Sequence, residues 1–276
     1  MNKLNIGFIG AGNMTRSLIG GLIASDFPAS SIHTSAPDIE HLQVLADNFA
    51  IQTSANNQDI VEHCDVIVFA VKPQILKSVC QQLKPRPDGL YLSIAAGIPT
   101  TSIANWLGQS TSGEPLAIIR AMPNTPALLQ SGATALFANA HTRESQRESA
   151  EAIMRAVGLA LWVEEEAQMD AVTALSGSGP AYYFLFMEAM INAAQEMGLN
   201  EKTAHLLTVQ TAFGASKMAL EIDKQPATLR QNVTSPGGTT ERAIQTFQQG
   251  GFEKLVNEAL TSAQTRAHEL AEELGK

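Results

Sequence analysis

The segment Gly10-Ala11-Gly12-Asn13-Met14, set directly behind the apolar run Leu4–Ile9, constrains the fold of this chain more than any other stretch. A strand that ends in Gly-x-Gly and opens at once into a helix turns tightly at the first glycine. At the second it brings bare backbone within reach of a ligand. The helix then directs its free N–H groups and the positive end of its dipole at the turn, which suits a pyrophosphate. Glycine turns are common at strand ends, so the motif gains its meaning from the strand before it and the helix after it. Thr15 occupies the third fingerprint position in place of glycine or alanine, which predicts a slightly wider spacing of strand and helix.

The same grammar repeats over the first half of the chain. Strand-like runs fall at 4–9, 31–35, 65–71, 89–95, 116–121 and 134–138, with amphipathic stretches at 14–25, 38–48, 73–83 and 143–157 between them. The runs near Asp65–Ala70 and Tyr91–Ala95 are almost wholly apolar, as strands covered on both faces must be. Strands alternating with helices predict βαβ units and a doubly wound parallel sheet, a Rossmann domain. After Val163 strand patterns cease. A short helix reaches Leu175, Ser176-Gly177-Ser178-Gly179 reads as a break, and a long apolar helix runs from Pro180 to Met197, stopped by Gly198. Asn200 is a good N-cap for the helix that follows. The expectation is an α/β chain with a dinucleotide-binding Rossmann domain over residues 1–163 and an all-helical domain for substrate and dimerisation over 164–276.

Composition narrows the function. A formal charge of −9 argues against a duplex nucleic-acid partner, which calls for a basic face. Cys64 and Cys80 have no CxxC or zinc-ligand spacing, so no metal site is predicted and both read as thiols of a reducing cytosol. Met1 leads into a strand without the apolar core of a secretory signal, and the greasiest stretch, 181–197, carries Glu188 and Glu196. A cytoplasmic protein without a membrane span is therefore expected. The consecutive Tyr182, Tyr183, Phe184, Leu185, Phe186 and Met187 surround a helix with apolar side chains, which predicts burial against another subunit.

Three further segments bear on chemistry. The second strand ends in Thr34-Ser35-Ala36, without the acid that NAD sites place on the ribose 2′-hydroxyl, and this favours NADPH while leaving NADH possible. Val71-Lys72-Pro73 closes the strand at 65–71 on the edge where such sheets bind ligands; Lys72 reads equally as a cofactor contact or a solvated loop lysine. Ser235-Pro236-Gly237-Gly238-Thr239-Thr240-Glu241 places a glycine pair before a helix, either an anion cradle of backbone N–H groups or an ordinary turn capped by Thr239 or Thr240.

Taken together, Gly7–Met14, Ala70–Pro73, Arg120-Ala121-Met122-Pro123-Asn124-Thr125-Pro126, Leu175–Tyr182, Ser235–Thr240 and Gly250-Gly251-Phe252 resemble the pyrroline-5-carboxylate reductase family along nearly the whole chain. The resemblance implies reduction of 1-pyrroline-5-carboxylate to proline by hydride transfer from NAD(P)H. It implies that Thr240 hydrogen-bonds the substrate nitrogen, that the amides around Gly238, Thr239 and Thr240 hold its carboxylate, and that Glu166 lies on the substrate side. Read from the residues alone, Glu166 is one of three acids suited to a helix N-terminus. On the cofactor side the implied set is Gly10, Ala11, Gly12, Asn13, Met14, Ser35, Asn57, Ala70, Val71, Lys72, Pro73, Ala96, Gly97 and Asn232. Ala36 stands where some relatives carry a hydroxyl near the adenosine 2′ position. A homodimer through the helical domains, and a ring of such dimers, are implied as the assembly. The rival readings are another imine or 2-hydroxy-acid reductase of the same plan, and a dinucleotide sensor without catalysis.

Overall fold

The computed structural model describes residues 4–108, 110 and 112–276. Eight strands form one sheet: β1 (Ile6–Ile9), β2 (Ile32–Ser35), β3 (Gln52–Ser54), β4 (Val66–Phe69), β5 (Leu90–Ser93), β6 (Ala117–Met122), β7 (Gly132–Ala138) and β8 (Gly158–Trp162). Their order is β3-β2-β1-β4-β5-β6-β7-β8, so the chain winds outward from β1 in one direction and from β4 in the other. The helices between them are α1 (Asn13–Ala24), α2 (Ile39–Phe49), α3 (Asn57–His63), α4 (Pro73–Cys80), α5 (Thr100–Leu107) and α6 (Glu144–Arg155).

Burial follows from the strand sequences. Val66 and Val68 of β4 join one core with Phe8, Leu18, Ile32 and Leu92, whereas Ile67 and Phe69 join the opposite core with Ile60, Leu76, Tyr91 and Ile103. Every residue of β4 is buried, as a central parallel strand between two helical layers requires.

The doubly wound sheet is as expected, with one antiparallel pair, β6 with β7, joined by the short 3₁₀ turn Thr125–Leu129. β3 and β8 lie outside the strand-like runs of the sequence, and both are edge strands. Two of the three residues of β3 are exposed, and β8 leaves Leu159 and Leu161 about half exposed, so neither carries a continuous apolar run.

After β8 come α7 (Gln168–Val172), a π-helical turn (Thr173–Gly177), α8 (Gly179–Glu196), α9 (Glu201–Glu221), α10 (Pro226–Asn232), α11 (Thr239–Gln249) and α12 (Phe252–Leu274). The expected break at Ser176–Gly179 narrows to Ser178, a single bend between the π turn and α8, and the Ser178 amide donates to Thr173 O at 2.9 Å. Gly177 serves packing rather than termination, since a Cβ there would fall 2.4 Å from Met122 Cε.

Contacts divide the chain into two compact units, Met1–Ser178 with Ser262–Lys276, and Gly179–Thr261. The first holds the sheet, α7 and most of the last turns of α12. In the second, the Asn200 side chain caps α9 by accepting from the Thr203 amide at 2.9 Å. Phe247 packs against Phe186 and Phe252 at centroid distances of 6.1 and 5.8 Å. Of the residues Gly179–Thr261 only Gly179 and Ala204 are buried. Among the described residues no helix is long and apolar enough to cross a membrane.

Candidate active site

The glycine turn sits at the carboxyl end of β1. Gly10 has φ +112°, and a Cβ there would lie 2.4 Å from the Ala70 carbonyl oxygen, so only glycine allows β1 and β4 to turn outward side by side. The Gly10 amide donates to Ser35 O at 2.8 Å and the Ala70 amide to Ile9 O at 2.9 Å, which ties the ends of β1, β2 and β4 together. Thr15 is fully buried and its hydroxyl donates to Gly10 O at 2.7 Å. The departure from the glycine fingerprint thus braces the turn.

Gly12 caps α1 with no side-chain hydrogen bond, no acid stands in the first turn, and the space where its Cβ would be is open. Free amides, an uncompensated helix dipole and bare backbone fit an approaching pyrophosphate. Beside them the buried Ser35 hydroxyl donates to Asn57 Oδ1 at 2.8 Å, at the ends of β2 and the start of α3. Asp38, where the amphipathic stretch 38–48 begins, caps α2 by accepting from the His41 amide at 3.1 Å. Lys72 is exposed and immediately precedes Pro73 at the start of α4. Ala96 and Gly97 follow β5, with Gly97 at φ +73°. Gly10–Met14, Ser35, Asn57, Ala70–Pro73 and Ala96–Gly97 therefore share one edge of the sheet. Asn232 closes α10 in the helical unit.

Glu166 is heavily engaged. Its Oε1 accepts from the Thr100 amide at 2.7 Å and its Oε2 from the Thr100 hydroxyl at 2.8 Å, so it caps α5, whose own cap position is Pro99. Arg120 of β6 approaches Oε1 at 3.6 Å and Asp170 Oδ1 at 3.9 Å, with only 4% of its side chain exposed. Burial pulls the Arg120 guanidinium below its usual range, against the opposing pull of the Glu166 and Asp170 carboxylates. Asp170 in turn accepts from or is paired with His268 Nδ1 at 3.3 Å.

At the glycine pair the capping reading of Thr239 and Thr240 is not what forms. The N-cap of α11 is Gly238, with no side-chain bond, and Thr239 and Thr240 are its first two helical residues. Glu241 Oε2 accepts from the Gly237 amide at 2.8 Å. The Gly238 amide, expected in the anion cradle, is turned back onto Ser235 O at 3.0 Å. The amides of Thr239, Thr240 and Glu241 and the exposed Thr240 hydroxyl have no acceptor or donor partner among the described residues.

Arg120, Asn124 and Thr100 carry no role legible in the sequence alone. The Asn124 Nδ2 donates to Ser176 O at 3.0 Å and its Oδ1 accepts from the Ala133 amide at 2.9 Å, so the Arg120–Pro126 segment braces the π turn. The signal available was the bare Arg-x-x-x-Asn polar pair inside an otherwise apolar strand and turn, and its partners were invisible without coordinates.

A doubly wound sheet whose first strand ends in a glycine turn that fits a pyrophosphate, followed by a helical unit, is the plan of a nicotinamide-dinucleotide-dependent oxidoreductase. Residues 166–270 match the family model described as pyrroline-5-carboxylate reductase dimerisation, and residues 5–97 the model described as NADP oxidoreductase coenzyme F420-dependent. A pyrroline-5-carboxylate reductase of Pseudomonas aeruginosa is 52% identical over 278 residues, covering 100% of both chains. The solved pyrroline-5-carboxylate reductase of Coxiella burnetii is 44% identical with a TM-score of 0.92, covering 98% of this chain and 99% of its own. A Plasmodium falciparum pyrroline carboxylate reductase crystallised with NADP bound is 27% identical with a TM-score of 0.84, covering 98% and 99%. This chain belongs to the pyrroline-5-carboxylate reductase family.

Proposed function

We propose that this chain reduces 1-pyrroline-5-carboxylate to L-proline with NADPH, NADH serving less well. The carbon of the C=N bond takes a hydride and the ring nitrogen takes a proton. A reduced nicotinamide dinucleotide supplies that hydride when bound along the edge formed by Gly10–Met14, Ser35, Asn57, Ala70–Pro73 and Ala96–Gly97, with Asn232 as a contact from the helical unit. The chain's own work is positioning and exclusion of water. Thr240 offers its hydroxyl to the ring nitrogen, where it orients the imine and can relay the proton. The amides of Thr239 and Thr240 hold the carboxylate, and the dipole of α11 favours that anion.

The observation that carries the reading is the start of α11. Its cap is a glycine, so the Thr240 hydroxyl and the first amides are left for a ligand instead of serving the fold. The preference for NADPH rests on Thr34, Ser35 and Ala36 at the end of β2, which present no carboxylate to repel a 2′-phosphate. The helical unit, with two buried residues, is covered by a second copy in a homodimer, and a ring of dimers is the higher assembly. The protein acts in the cytoplasm on a small molecule, without nucleic-acid or membrane partners. Oxidation of NADPH followed at its absorbance band, with the cyclic imine as substrate, tests the reading. Turnover of an open-chain 2-oxo acid with none of the cyclic imine would overturn it.

A further inference from the structure

The strongest polar cluster outside the glycine turns lies between β6, α5 and α7. Arg120 stands opposite Ser93 of β5 in the sheet, deep enough to be almost wholly buried. Among the described residues its ion-pair partners are Glu166 and Asp170, at 3.6 and 3.9 Å. A buried cation calls for such carboxylates, because leaving it unpaired is strongly unfavourable. Glu166 therefore stays where Arg120 holds it. From there both of its oxygens reach Thr100, the first residue of α5.

Thr100 is separated from Gly97 by Ile98 and Pro99 alone. Ile98 and Thr100 are buried, Pro99 has its φ set by its ring, and Gly97 adopts φ +73° against α12, where its missing Cβ would meet Leu270 and Ala271 at 3.6 Å. With four successive residues fixed in this way, a displacement of Thr100 passes directly to the Ala96–Gly97 turn at the end of β5. Pro99 cannot provide a side-chain cap, so Glu166 performs that task from another part of the chain.

We propose that Glu166 is a positioning residue for the dinucleotide: locked by Arg120, it caps α5 through Thr100 and so fixes the Ala96–Gly97 turn, and it gives no oxygen to the substrate. This rests on the cofactor reading of Ala96 and Gly97 given above. It departs from the substrate-side part that the family resemblance implies, in that both carboxylate oxygens serve the Thr100 cap; each keeps a further lone pair, so the imine KM and the pH profile of Glu166→Gln decide between the two roles.

The test compares the parent enzyme with Glu166→Gln, Glu166→Ala and Thr100→Val. NADPH binding is measured by titrating its fluorescence, thermal unfolding is recorded on the same samples, and kcat and KM for both substrates are taken across pH. Glutamine keeps an acceptor for the Thr100 amide, and Asp170 remains as a carboxylate partner of Arg120, so Glu166→Gln retains kcat within about threefold and an unchanged pH profile. Glu166→Ala weakens NADPH binding by about tenfold while KM for the imine moves less than about twofold. Thr100→Val, which loses only the hydroxyl bond, weakens NADPH binding by an intermediate factor, and it decides the matter if Glu166→Ala does not fold. Two results overturn the proposal: a Glu166→Gln enzyme whose kcat falls tenfold or more with an ionisation lost from its pH profile, or parental NADPH binding in both Glu166→Ala and Thr100→Val. A parent that binds no NADPH at all would instead overturn the cofactor reading beneath it.

Discussion

Replacing Thr240 by alanine separates catalysis from folding at the residue on which the proposed chemistry depends most. Were Thr240 an N-cap, its loss would cost about 0.5–2 kcal/mol of stability. It is instead the second residue of α11 behind a glycine cap, exposed, and its hydroxyl bonds nothing among the described residues. Thr240→Ala should therefore change stability by no more than about 0.5 kcal/mol, the usual range for a surface change that touches no such feature. A hydroxyl that hydrogen-bonds the ring nitrogen in the transition state is worth about 1.4 kcal/mol or more, so kcat/KM for the imine should fall at least about tenfold. Thr240→Ser restores the hydroxyl and should recover most of the loss. Thr239→Ala should be mild, because that position contributes its amide. Steady-state kinetics and thermal unfolding of the same preparations measure both quantities. Near-parental kcat/KM in a folded Thr240→Ala enzyme would refute the assignment, and a large fall in stability would show that the capping geometry had been misread.

Other outcomes follow from the same structure. Ala36→Asp sets a carboxylate at the end of β2 and should raise KM for NADPH more than for NADH; a parent that already prefers NADH strongly contradicts the reading of 34–36. Glu151 accepts from Trp162 Nε1 at 2.6 Å and from Arg155 Nε at 2.7 Å, while the Arg147 guanidinium lies 4.0 Å from the Trp162 ring centroid. The Trp162 bond first, then Arg155, hold the Glu151 carboxyl below its usual range, so its stabilisation is present above the unfolded pKa and is lost as pH falls through the lower folded value. In a Trp106→Phe background, which leaves Trp162 as the one remaining tryptophan, a fluorescence transition is expected below the ordinary carboxylate range and should be absent in Glu151→Gln; a transition that persists there would refute the assignment to Glu151. Sedimentation at low micromolar concentration should show dimer or larger species, and a stable, active monomer would refute burial of the 182–187 face between subunits.

The sequence by itself determined what local chemistry encodes. The apolar runs of β1, β4 and β5, the glycine turn after β1, the Asn200 cap and the stop at Gly198 are each written in a few consecutive residues, and they form as read. Tertiary structure decided what depends on residues far apart in the chain. The edge strands β3 and β8 are defined by their neighbours in the sheet rather than by their own hydrophobicity. Ser176–Gly179 reads as a break in isolation, yet Asn124 takes the Ser176 carbonyl and Met122 fills the space above Gly177, so the π turn runs through Gly177 and the interruption shrinks to Ser178. Glu166 looks like one acid of three at a helix start. Its carboxylate instead caps α5, 66 residues earlier in the chain, because the buried Arg120 holds it there. Periodicity and caps are short-range and survive in a string of letters, whereas the partner of a buried charge is fixed only when the sheet brings β6, α5 and α7 together.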